Sequence, residues 1–201
     1  MNEQRSKPII FLISAPSGAG KTTLCEMLKA EFGASLYTLV TATTRPMRPG
    51  EVEGQSYFFL TQDEFERRSA ANGFLEYATV HDHSYGSPRE PVFQALKKGQ
   101  DVLLNVDVQG AASIRASLQQ TPHAPPLVDI FIAPPSLDAL RARLTGRGQD
   151  SAEVIAHRVR QATGEMTRWR EFSYLVINDE LQTAYDHLRA IVLAERVRIR
   201  K

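Results

Sequence analysis

Apolar positions along the chain follow two periods. Short runs of consecutive apolar, often β-branched residues occur at Ile9 to Ile13, Val102 to Val106, Leu127 to Ile132 and Tyr174 to Ile177. Their length and character predict buried strands. Between them, apolar residues fall at helical spacing. Leu24, Met27, Leu28 and Phe32 form one stripe, closed by Gly33, and Val92, Phe93 and Leu96 form another, opened by Pro91 and ended by Gly99. Helices are also predicted from Ala111 to Leu118, from Ser136 with Leu137, Leu140 and Leu144, from Asp150 with Glu153, and from Leu181 through Val192. Strands alternating with helices imply an α/β protein: a three-layer sandwich with a mostly parallel central sheet.

From Ala34 to about Pro91 the rhythm changes. Short strand-like pieces, Leu36 to Val40 and Tyr57 to Leu60, surround a turn-rich stretch from Arg45 to Gly54. Thr61-Gln62-Asp63-Glu64 is a capping box that starts a short helix through Phe65. This segment is expected to form a lobe inserted into the α/β core.

The first strand runs into Ala15-Pro16-Ser17-Gly18-Ala19-Gly20-Lys21-Thr22, which opens the first helix. Strand, glycine-rich loop and helix in that order form a phosphate-binding loop. Its backbone N–H groups and the helix N-terminus receive phosphate oxygens. Lys21 supplies a mobile charge, and the Thr22 hydroxyl is a ligand for Mg²⁺ bound with a triphosphate. Ala15 departs from the pattern's first glycine but is small enough to keep the turn close. Thr23 is counted with the loop.

Composition narrows the setting. The 201 residues carry a net charge of +1, so no whole-protein field draws the chain to nucleic acid or membrane. Met1 to Lys7 is polar, with no signal-peptide core behind it, and no apolar run approaches membrane-spanning length. One cysteine, Cys25, excludes an internal disulfide framework and suits a cytoplasmic location; its apolar neighbours mark it as a packing residue. Basic character is local instead. Seven arginines lie between Arg141 and Arg170, against Asp150, Glu153 and Glu165. Without aromatic stacking platforms they do not read as a nucleic-acid surface.

The phosphate loop alone leaves kinase, motor and switch open. Arg45 and Arg48, three apart around Pro46, offer two guanidinium forks to one phosphate dianion. The run Thr41-Ala42-Thr43-Thr44-Arg45-Pro46-Met47-Arg48-Pro49-Gly50-Glu51 precedes Gly54 and Tyr57, then Phe74-Leu75-Glu76-Tyr77 and Tyr85-Gly86-Ser87. With these motifs in this order, the chain resembles guanylate kinases, ATP:GMP phosphotransferases, from Ile9 to its C-terminal helix.

The resemblance implies a division of labour. Residues 1–34, 91–144 and 170–201 would form the nucleotide-binding core, 35–90 a GMP-binding lobe and 145–169 a helical lid. Arg45, Arg48, Tyr57 and Tyr85 would hold the GMP phosphate. Glu76 would read guanine, because one carboxylate accepts both N1–H and N2–H₂, whereas adenine offers a bare N1 acceptor there. Thr41, where relatives often have serine, and Ser87 would complete the base contact. Asp107 matches an acid on the acceptor side, and Asn105 stands where relatives usually carry an acid. Lys21, Arg45 and the lid arginines Arg147 and Arg158 would carry catalysis, with Mg²⁺ as cofactor. Asn178 is a candidate adenine contact.

Two further readings complete the picture. His81-Asp82-His83 is expected to be a loop near the GMP pocket, and Arg196 to Lys201 a solvated helix end. ATP and GMP are the expected partners, with no nucleic acid, membrane or obligatory protein partner. A kinase for another small acceptor is disfavoured by Glu76 with Thr41. A catalytically inactive phosphopeptide-binding scaffold is disfavoured by the intact Gly20-Lys21-Thr22 and the lid arginines.

Overall fold

The computed structural model describes residues 7–80, 82–146 and 151–200. Its centre is a five-stranded, all-parallel sheet in the order β2-β7-β1-β8-β9. These strands are β1 (Ile10–Ser14), β2 (Leu36–Thr38), β7 (Asp101–Asn105), β8 (Leu127–Ala133) and β9 (Tyr174–Ile177). The pleat sends alternate side chains of β1 to opposite faces. Phe11 and Ile13, with the preceding Ile9, pack under α1 (Lys21–Phe32) and α7 (Leu181–Val197), against Leu24, Leu28, Ala184, Leu188 and Val192. Ile10 and Leu12 pack the other way, with Val92 and Ala95 of α3 (Arg89–Lys97) and Ala111, Ile114 and Leu118 of α4 (Val108–Gln119). Burial on both faces explains why these strands read as unbroken apolar runs. The three-layer α/β sandwich implied by the sequence is the fold the chain adopts.

The inserted lobe is a second sheet, in the order β4-β3-β6-β5. Its strands are β3 (Ala42–Thr43), β4 (Phe58–Phe59), β5 (Phe74–Val80) and β6 (His83–Pro88). Helix α2 (Gln62–Ala70) covers it by packing Phe65 on Ala42 and Phe74. One half of the expected capping box forms: the Thr61 side chain accepts from the Glu64 N–H, while the Glu64 carboxylate binds Arg67 and Arg68 instead. Two expectations change here. Leu36–Thr38 pairs in parallel with β7 as the edge of the core sheet, so the lobe begins after it and not at residue 35. Asp82 turns the chain with a left-handed φ of 64°, and His83 already opens β6 instead of lying in a loop; His81 lies outside the described residues.

Two helices, α5 (Leu137–Gly146) and α6 (Ala152–Met166), form a small layer of their own around Leu140, Leu144, Val159 and Ala162. Ser151, next to the expected Asp150, caps α6. Arg147 and Asp150 lie outside the described residues. A 3₁₀ turn, Thr167–Glu171, returns the chain from α6 to β9. The C-terminal end is exposed at Val197 to Ile199, yet its arginines are not free of the fold. Arg196 donates to Asp101 at 2.7 Å and lies 4.5 Å over the Phe32 ring, while Arg198 and Arg200 bond the buried Glu195. No described helix is long and apolar enough to cross a membrane.

Candidate active site

The loop after β1 is built by backbone conformation and one buried amide. Gly18 and Gly20 both adopt φ 90°, and the Ala19 N–H donates to the Pro16 carbonyl. Asn178, buried just past β9, donates from Nδ2 to the Ala19 carbonyl at 2.7 Å, while its own N–H bonds the Ala133 carbonyl. A Cβ on Gly20 would stand 2.3 Å from that Nδ2, so the loop and Asn178 interlock only with glycine there. Asn178 thus holds the loop's backbone. It also borders a cleft of about 450 Å³ lined by Gly18, Gly20, Thr23, Arg143 and Leu181. Sequence reading placed it toward the adenine and missed the bond to Ala19, which only the closeness of β9 to the loop creates.

Lys21 begins α1 and donates to the Val106 carbonyl at 2.7 Å, at the exit of β7. Burial pushes its ammonium below the usual lysine range, with Cys25, Asp107 and Glu165 opposing the shift. Cys25 is packed beneath it, and burial raises its thiol to about 12, so it is inert as a nucleophile. Thr22 and Thr23 are exposed on the same first turn.

Asp107 serves the fold as well as the site. Its carboxylate caps α4 by accepting from the Gly110 N–H at 2.7 Å. A carboxylate at a helix N-terminus is stabilised by the dipole. Gly110 in turn lies close to Glu76: a Cβ there would come within 3.4 Å of Glu76 Oε2 and of Asp107 Oδ1. The inserted lobe and the core meet at this contact.

Within the lobe sheet, Ala42 pairs with Gly86, and Gly86 with Tyr77. Ser87 and Glu76 are the next positions on β6 and β5, and Thr41 immediately precedes β3. Between Phe74 and Tyr77 the register shifts, a bulge that sends Leu75 into the core and turns Glu76 to Ser87. Ser87 donates to Glu76 Oε1 at 2.6 Å. Desolvation holds the Glu76 carboxyl above the ordinary range; the Ser87 bond offsets this in part, and Asp107 adds to it.

Arg45 is buried. Its guanidinium donates from both Nη atoms to Glu51, at 3.0 and 2.7 Å, and to the Pro46 carbonyl. It stands 5.5 Å over the Tyr57 ring, which meets Tyr85 edge-on at 6.2 Å. The structure thus gathers Arg45, Tyr57 and Tyr85. Arg48 is exposed; its backbone N–H donates to the Glu51 carboxylate and its carbonyl accepts the Glu51 N–H. Glu51 was quoted in the motif without a role, yet it organises both arginines. Arg45 and the Arg48 N–H hold its carboxyl below the usual range. The signal available was an acid six residues beyond Arg45 across a Pro-Gly turn.

On the lid side, Arg158 is half-buried on α6. Glu165, counted in the sequence only as one acid among the arginines, is half-buried near Lys21 and Asp107. Burial first, then Asp107, raises its carboxyl. Among the described residues no three acidic, histidine or cysteine groups are placed to enclose a metal. The exposed Thr22 hydroxyl and the Asp107 carboxylate each offer oxygen donors. That suits Mg²⁺, which keeps most of its waters and leans on substrate phosphates.

A buried strand feeding a glycine-bent loop, a helix N-terminus and a lysine at the strand exits defines a P-loop nucleotide-handling protein, here with a separate acceptor lobe. Residues 5–195 match the guanylate kinase family, and the chain belongs to it. It is 46% identical over 190 residues to a guanylate kinase of Novosphingobium aromaticivorans, covering 94% of this chain and 83% of that one. It is 47% identical over 191 residues to the guanylate kinase of Escherichia coli K12, covering 94% and 89%. The crystal structure of guanylate kinase from Anaplasma phagocytophilum superposes with a TM-score of 0.72 at 28% identity, over 96% of this chain and 89% of that one.

Proposed function

We infer that this chain catalyses its family's reaction, ATP plus GMP giving ADP plus GDP, by direct in-line transfer. One GMP phosphate oxygen attacks the γ-phosphorus as the bond to the β,γ-bridging oxygen breaks. The acceptor is already an anion, so no general base is required; positioning and charge neutralisation carry the rate.

The observation that carries this reading is the Ser87–Glu76 pair beside Gly110 in the first turn of α4. Ser87 occupies Oε1 of Glu76, and the absent side chain at Gly110 leaves room beside Oε2. A desolvated carboxylate in that setting calls for donors, and guanine brings two adjacent N–H groups. Adenine would leave it unpaired, a mismatch worth roughly 10⁴-fold in selectivity. Arg45, with Arg48, Tyr57 and Tyr85 around it, would take the GMP phosphate. Residues Ala15 to Thr23 and Lys21 would hold the ATP phosphates, with Asn178 bracing the loop. Arg147 and Arg158 would neutralise charge on the transferring group from the lid. Asp107 would face the acceptor. Mg²⁺, held by Thr22 and through water by Asp107, would screen the triphosphate when bound; Asn105 contributes an amide where an acid would add charge. Closure of residues 145–169 over the core would exclude water and so suppress ATP hydrolysis.

An ADP-release assay over a panel of nucleoside and sugar monophosphates tests the assignment. GMP should far exceed AMP; activity with GMP no higher than with AMP would refute it.

A further inference from the structure

We propose that Gly110 is a specificity-determining position: its missing side chain seats the Glu76 carboxylate so that Oε2 meets the exocyclic 2-amino group of guanine. This rests on the reading that GMP binds at Glu76. Gly110 lies buried in the first turn of α4, and its N–H donates to Asp107 Oδ1 at 2.7 Å. A Cβ on Gly110 would stand 3.3 Å from Val106 Cβ and 3.4 Å from both Asp107 Oδ1 and Glu76 Oε2. Those distances are tighter than ordinary contact, so a neighbour has to give way. Val106 belongs to the apolar core beneath α4, and Asp107 Oδ1 is tied to the same glycine. Glu76 Oε2 is the far end of a flexible side chain, whose hydrogen bond among the described residues is made by the other oxygen, Oε1, to Ser87 at 2.6 Å. A methyl at position 110 is therefore accommodated by pivoting the carboxylate about Oε1.

The chemistry of the base says which contact that pivot breaks. The Watson–Crick edge of guanine presents O6, N1–H and the 2-amino group in that order. Ser87 flanks the Oε1 side of the carboxylate and, on the proposed reading, faces O6. N1–H then falls to Oε1 and the 2-amino group to Oε2, on the side of Gly110. Hypoxanthine keeps O6 and N1–H but carries a bare C2–H, so it makes the first bond and forfeits the second. Adenine makes neither. Preference for guanine over hypoxanthine thus depends on where Oε2 lies, and Gly110 sets that position. The backbone itself tolerates the change, because alanine is a better helix former than glycine.

Steady-state kinetics of the full chain with GMP, IMP and AMP, at saturating ATP and Mg²⁺, tests this. The unsubstituted protein should favour GMP over IMP in kcat/KM by roughly tenfold or more, the worth of one hydrogen bond to an ionised group. Gly110→Ala should cut that preference at least about fivefold, chiefly by raising KM for GMP, with KM for IMP held within about twofold. In a Glu76→Gln background the same substitution should leave the GMP-to-IMP ratio within about twofold, because Gly110 acts through the carboxylate. Thermal unfolding establishes whether Gly110→Ala is folded. A variant that does not fold overturns the inference, since the methyl is then refused by the core and not by Glu76. A folded Gly110→Ala with an unchanged ratio, an equal fall in the Glu76→Gln background, or no initial preference for GMP over IMP also overturns it, and each leaves the proposed function standing. Activity with GMP no higher than with AMP overturns the proposed function, and the inference with it.

Discussion

Gly20→Ala isolates the interlock between the phosphate loop and Asn178. Two penalties add. The first is conformational: an L-residue at φ 90° costs about 1–2 kcal/mol relative to glycine. The second is steric and polar. The new methyl would sit 2.3 Å from Asn178 Nδ2, far inside contact distance, so the amide must leave the Ala19 carbonyl. Breaking that bond at a buried site orphans a donor and an acceptor, at about 1–3 kcal/mol. The total, about 3 kcal/mol, corresponds to a fall in Tm of roughly 6–12 °C for a chain of this length. Gly50→Ala is the control: φ is 85°, but nothing lies within 4 Å of the added carbon, so only the conformational penalty applies. Thermal unfolding of both variants without nucleotide, followed by circular dichroism, gives the comparison. Adding Asn178→Ala to Gly20→Ala removes the clashing atom, so the two changes together should destabilise by less than their sum, by about 1–2 kcal/mol. A Gly20→Ala variant no less stable than Gly50→Ala, or strictly additive with Asn178→Ala, would refute the interlock.

Lys21→Met should abolish turnover yet raise Tm at neutral pH. Burial depresses the folded-state pKa of Lys21, so the folded protein binds this proton less readily than the unfolded chain, and its contribution to stability improves as pH rises toward the unfolded value. A drop in Tm on substitution would contradict this. Glu76→Gln should also raise Tm near neutrality, for the mirrored reason. Its folded-state pKa is raised, so the ionised carboxylate is a burden that grows as pH climbs through the ordinary glutamate range, and the neutral amide escapes it. The same change should cut the GMP-to-AMP ratio of kcat/KM by at least about tenfold, and an unchanged ratio would remove Glu76 from base reading. Glu51→Gln should raise KM for GMP several-fold with a smaller effect on kcat, because Arg45 and the Arg48 backbone lose their shared anchor; steady-state kinetics in which only kcat falls would count against that role.

The sequence carried the core in full and the site unevenly, and the difference has a physical source. Strands buried on both faces and helices buried on one write their periods directly into composition, so β1, α1 and the phosphate loop were legible. β2 was assigned to the lobe because strand partnership over some sixty residues leaves no local trace; Leu36 reads the same whether it pairs with Asp101 or with the lobe. The bulge that turns Glu76 toward Ser87 is a matter of register, invisible until β5 and β6 are paired. Arg196 looked solvated because its partner, Asp101, is distant in sequence.

The cations expected to greet phosphate already have acceptors of their own. Arg45 is held by Glu51, and Lys21 by the Val106 carbonyl. This explains how a site for two polyanions fits in a chain of net charge +1. The field of Arg45 is quenched by a carboxylate close by in the chain. It also bears on specificity. A phosphate reaching Arg45 must compete with a bidentate carboxylate, and a dianion in a matching fork does so far better than a singly charged ligand. On the proposed reading, selection of the acceptor would have two parts, guanine against Glu76 and a phosphate dianion against Glu51.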